Sequence, residues 1–129
     1  MSHFSYIKVQ IKNPNIDLLK MSIQELAKDI NGEVVSEIVD WYGNVRSDFI
    51  IGIRNKVFQR GVGIKINRNG EVELVGDFYL ISRQKINDLL EKVVMYYTKN
   101  ATAYALSQMG YNVQQSKSED KVLLYAYQM

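Results

Sequence analysis

Asp40, Asp48 and Asp77 lie in segments that read as β-strands, and they could all project from one sheet face. Three carboxylates converging there would offer the oxygen donors that Mg²⁺ or Mn²⁺ takes, and with them metal-dependent phosphoryl transfer. No DxD or ExK spacing sharpens that reading. Aspartates on an exposed sheet face are ordinarily solvated or paired with lysine and arginine. The only histidine, His3, sits near the chain start and is expected to pack or hydrogen-bond structurally beside Phe4. There is no cysteine, which excludes thiol catalysis, thiolate metal sites and disulfides. Gly61-Val62-Gly63 lacks the third glycine and following helix of a dinucleotide or phosphate loop, so it reads as a bulge or a crowded strand start. No cofactor is implied. Binding is expected rather than catalysis.

Two surfaces could do the binding. Lys8, Lys12, Arg54, Lys56 and Lys65 share an outward parity, and residues 54–68 carry five cations with no acid among them. Tyr6 and Tyr79 fall on the same face, so this surface could follow a phosphate backbone and stack bases. Asp48, Glu73 and Asp77 dilute its field. The second candidate is a contact surface of Trp41, Tyr42, Arg46, Asp48, Asp77 and Tyr79 around one end of the sheet. Exposed large aromatics often anchor protein interfaces. Against that, Tyr42 and Tyr96 also suit the rim of a core. Val122 to Tyr127 is apolar on both parities, as a central strand or one covered by another subunit would be.

These residues need a scaffold. With 129 residues, 47% hydrophobic and 23% charged, the chain fits one domain, residues 1–129, with a core that needs no staple. A net charge of +2 implies no nucleic-acid or membrane partner by itself. No signal peptide or membrane span is evident, and a cytoplasmic location is expected. Ile7, Val9 and Ile11 alternate with polar residues over 5–13, which predicts a half-buried strand. Asn15 then caps a helix with Leu19, Ile23, Leu26, Ala27 and Ile30 on one face. Strands follow over 33–42, 47–56 (Phe49, Ile51 and Ile53 inward), 61–67 and 71–81 (Val72, Leu74, Phe78 and Leu80 inward). Asn69-Gly70 is the strongest hairpin signal. Ser82 caps a second helix with Ile86, Leu89, Leu90, Val93, Val94 and Tyr97 on its face. A third helical segment, 100–109, is continuous with it or bent near Asn100. A hairpin over 111–116 and 121–128 closes the chain.

The order β-α-β-β-β-β-α-α-β-β predicts an α+β fold, a mainly antiparallel sheet with helices on one face. Its first seven elements follow the order of a TATA-binding-protein half, or helix-grip, domain, whose shape can enclose a small molecule. Fold analogy carries no function.

Nearly the whole chain resembles a known family. The carrying residues are Met1-Ser2-His3-Phe4, Trp41-Tyr42-Gly43-Asn44-Val45-Arg46-Ser47-Asp48, Gly61-Val62-Gly63-Ile64, Asp77-Phe78-Tyr79 and Met109-Gly110-Tyr111-Asn112-Val113. They look like domain-of-unknown-function family twelve fifty-seven, the open-reading-frame thirty-five-like proteins of red-algal plastids and cyanobacteria, found also in other bacteria and archaea. The resemblance implies a cytosolic or stromal location and no recognised catalytic motif. Members encoded near AAA-type ATPases suggest an adaptor role with an ATPase or self as partner.

Overall fold

Alternating apolar residues on successive strands form one buried layer under two helices. The computed structural model describes residues 3–118 and 121–128. The elements are β1 (Ser5–Lys12), α1 (Ile16–Asp29), β2 (Glu33–Val35), β3 (Ile38–Val39), β4 (Val45–Arg46), β5 (Ile51–Arg54), β6 (Val62–Ile66) and β7 (Glu71–Gly76). Then come α2 (Arg83–Gln108), β8 (Tyr111–Ser118) and β9 (Lys121–Gln128). Five strands form an antiparallel sheet in the order β1-β7-β6-β5-β2, while β3-β4 and β8-β9 are separate two-stranded ribbons. The α+β fold and the order of strands and helices follow the expectation. Among the described residues no helix is long and apolar enough to cross a membrane.

Val9, Ile11, Ile53, Val62, Ile64, Val72 and Leu74 face Leu19, Ile23 and Leu26 of α1 and Leu89, Val93 and Tyr96 of α2 in one core. Tyr96 is therefore core rather than rim. The Asn15 side chain accepts from Leu18 N at 3.1 Å and Ser82 from Lys85 N at 3.2 Å, so both expected caps are in place. Gly70 takes φ +80° in the β6–β7 turn, a conformation an L side chain rarely adopts.

Helix α2 runs unbroken for 26 residues, so the third helical segment continues the second. It holds neither glycine nor proline, and its middle is tied to α1. Asn100 donates to Ser22 Oγ at 2.9 Å and Glu25 Oε1 at 2.8 Å, and Lys99 donates to Glu25 Oε2 at 2.6 Å.

The outer sheet face departs from expectation. The strand expected over 33–42 breaks into β2 and β3, because β3 leaves the sheet to pair with β4. The strand expected over 47–56 shortens to β5, and Phe49 lies on the opposite face from Ile51 and Ile53. There it covers Gly52 and Gly63, paired across β5 and β6: an added Cβ would come within 2.8 Å and 2.7 Å of its ring. Val75, fully buried, flanks it, and Ile38 packs on Gly61. Residues 36–50 thus build a small second core on the outer face. Leu80, expected inward, is exposed with φ +66°, because β7 ends at Gly76 and the chain turns there. The opening Met1-Ser2, Glu119-Asp120 of the last hairpin's turn, and the side chains of Val122, Leu123, Tyr125 and Tyr127 lie outside the described residues.

Gly63→Ala is expected to cost about 1–3 kcal/mol by overpacking against Phe49. In a Phe49→Ala background that penalty should shrink, as coupling in a double-mutant cycle read by urea unfolding. Equal penalties in both backgrounds would show that Phe49 does not seal this face.

Candidate functional site

Asp77 follows directly on β7 and is buried, with its side chain 1% exposed. Its Oδ2 accepts from Trp41 N at 2.7 Å and its Oδ1 from Tyr79 N at 3.1 Å. One carboxylate therefore joins the turn after β3 to the turn after β7. Arg60 Nε lies 3.9 Å from Asp77 Oδ2 and donates to the Asp77 carbonyl at 3.3 Å. Its guanidinium also donates to the Tyr79 carbonyl and sits 5.5 Å from the Trp41 ring centroid. The Trp41 and Tyr79 rings meet edge to face, centroids 5.1 Å apart.

Asp40 shapes the turn that presents these rings. Its Oδ1 accepts from Tyr42 N at 2.9 Å and Asn44 N at 2.8 Å, and its Oδ2 from Asn44 Nδ2 at 2.8 Å. The Asn44 amide, helped by these backbone donors, holds the Asp40 carboxyl below its ordinary range against the opposing effect of burial. Gly43 completes the turn at φ +86°.

A second cluster centres on Arg46. It donates to Asp48 through Nε at 2.9 Å and Nη2 at 2.5 Å, a two-point pairing, and also to the Tyr6 hydroxyl. Its guanidinium lies 5.3 Å from the Phe4 ring centroid and 5.2 Å from that of Tyr6. Lys65 Nζ approaches Asp48 at 3.5 Å and the Tyr6 ring at 5.4 Å. The hydrogen bonds from Arg46 hold the Asp48 carboxyl down at about 2.

The sequence-predicted contact surface thus forms two clusters, Trp41–Asp77–Tyr79 and Arg46–Asp48. Tyr42 stands exposed beside the first. Arg60, Phe4 and the Arg46 contact of Tyr6 were absent from the sequence-derived surface. The aspartate metal site is not assembled: the three carboxylates are engaged separately, and no metal-holding group of three acids or histidines occurs among the described residues. His3 is exposed rather than packed.

The basic face is interleaved with acids. Lys8 pairs with Glu71 at 3.5 Å, Arg54 with Glu33, and Lys65 with Asp48. Glu73 stands between Lys8 and Lys65 in the sheet register, and Lys12 stands opposite Glu71. Three of the five cations assigned to this face, Lys8, Arg54 and Lys65, therefore have an acid within ion-pair distance, whereas Lys12 and Lys56 have none among the described residues. Comparison with family models, with curated proteins and with solved structures finds no match. Fold and site define an α+β domain bearing an ordered aromatic and arginine surface.

Asp77→Ala should cost about 1–3 kcal/mol by stranding the Trp41 and Tyr79 amides, seen as a lower urea midpoint. The Asp48 carboxyl lies below its ordinary 3.8, so its pairing contributes above pH 4 and is lost as pH falls towards about 2. Asp48→Asn should therefore flatten the stability change between pH 4 and 2 relative to wild type. An unchanged acid limb would contradict the pairing.

Proposed function

We propose that this chain is a non-enzymatic protein-binding domain, an adaptor or accessory subunit that presents Trp41, Tyr42 and Tyr79 to a partner. One observation carries the reading. Trp41 is 52% exposed, Tyr42 66% and Tyr79 41%, although the backbone amides of Trp41 and Tyr79 are tied to a buried carboxylate. Exposed Leu80 adjoins them in sequence. Tryptophan, tyrosine and arginine are the residues enriched at binding hot spots. A surface already ordered loses less entropy on association.

The resemblance to family twelve fifty-seven makes an AAA-type ATPase of the cytoplasm the first partner to test, with a second copy of the chain as the other. The balanced charge of the outer sheet face favours protein over nucleic acid.

The test is affinity capture of tagged protein from its own lysate, with and without nuclease, for wild type, Trp41→Ala and Lys56→Glu. A stoichiometric, nuclease-resistant protein should be recovered by wild type and Lys56→Glu, and bound at least about tenfold more weakly by Trp41→Ala. Equal recovery by Trp41→Ala would remove this surface. Recovery of nucleic acid alone, lost on nuclease treatment, would transfer binding to Lys8, Lys12, Arg54, Lys56 and Lys65.

A further inference from the structure

A groove of about 650 Å³ lies away from the aromatic surface, between β1, the middle of α2 and Leu124 of β9. Val9, Leu90, Val94, Met95 and Leu124 give it apolar walls, and Thr98 and Thr102 add hydroxyls. Volume and lining match sites that take one small apolar ligand with a polar end.

Its strand wall is irregular. Lys8 pairs with Glu73 and Lys12 with Glu71, so four residue steps of β1 stand against two of β7. Such a bulge leaves backbone groups without ladder partners, and Val9 and Gln10 within it line the groove. β1 is also an edge strand. Its bulge and its two lysines are devices that discourage the addition of another strand. A small ligand therefore suits this groove better than an extended peptide.

Charge specifies the polar end. Lys8, Lys99 and Glu91 are the charged residues of its lining, and each lysine has a further carboxylate beside it outside the lining. Lys8 is mostly exposed, with Glu71 at 3.5 Å. Lys99 is 7% exposed and donates to Glu25, one acceptor for an ammonium that carries three donors. We propose that the groove binds a free aliphatic carboxylate of fatty-acid type, its chain along Leu90, Val94 and Met95 and its carboxylate at Lys99 and Lys8.

The test uses cis-parinaric acid, a fluorescent aliphatic carboxylate, displaced by octanoate, decanoate, dodecanoate and dodecanol below their micellar concentrations. Saturable binding is expected, with competition tightening about fourfold per methylene. Dodecanoate should compete roughly tenfold better than dodecanol. Lys99→Met should remove that preference. Because this variant also breaks the Glu25 pair, Lys8→Gln serves as a second and should narrow the preference without touching the α1–α2 contact. Thr102→Trp, at an exposed position, should block carboxylate and alcohol alike. No saturable binding, equal competition by dodecanol, or unchanged affinity in Thr102→Trp would overturn the proposal. Binding seen only with phosphatidylcholine vesicles would overturn it too, since a membrane surface would then be the ligand.

Discussion

The buried carboxylate of Asp77 is the interaction on which the candidate surface depends. A carboxylate removed from water is costly unless donors surround it. Here those donors are the amides of Trp41 and Tyr79 and, at longer range, the Arg60 guanidinium. Satisfying Asp77 therefore fixes two turns that are 36 residues apart in sequence. The aromatic rings inherit that order while remaining half in water. Arg60 reinforces it by spanning the Tyr79 carbonyl and the Trp41 ring.

This arrangement rests on the outer sheet face. Gly52 and Gly63 leave a hollow in adjacent strands, Phe49 fills it, and Val75 closes one side. The chain from β2 to β5 must cross that face to bring Phe49 into place. Its crossing puts β3 and β4 beside the start of β6, where Val39 N donates to the Arg60 carbonyl at 2.9 Å. The turn bearing Trp41 is thereby delivered to Asp77. On the opposite face, the helices are locked in register by the Ser22, Glu25, Lys99 and Asn100 contacts, which a purely apolar seam would fix less uniquely.

The legible parts of the sequence were those with regular periodicity. Ile7, Val9 and Ile11 alternate without interruption, and Leu89 and Val93 keep helical spacing, so their buried faces follow directly. Phe49 misled because parity was carried from β5 back through a bend, where period-two alternation no longer holds. The signal that could have corrected it is the pair of glycines at outward positions 52 and 63, which need a large side chain above them. Trp41, Asp77 and Tyr79 were grouped from polar and aromatic types near one turn. Arg60 was visible only as one cation in an acid-free run. Its role depends on backbone carbonyls that sequence does not display. Ser22 and Asn100 interrupt apolar helix faces, and that was the available sign of a polar contact between helices.

Native-state hydrogen exchange at the Trp41 and Tyr79 amides tests the ordered surface most directly. Both amides should be protected nearly as strongly as those of β6 and β7, because releasing them exposes a buried carboxylate and breaks the joint between two turns. Exchange at rates typical of exposed loops, with β6 and β7 still protected, would contradict a preformed surface.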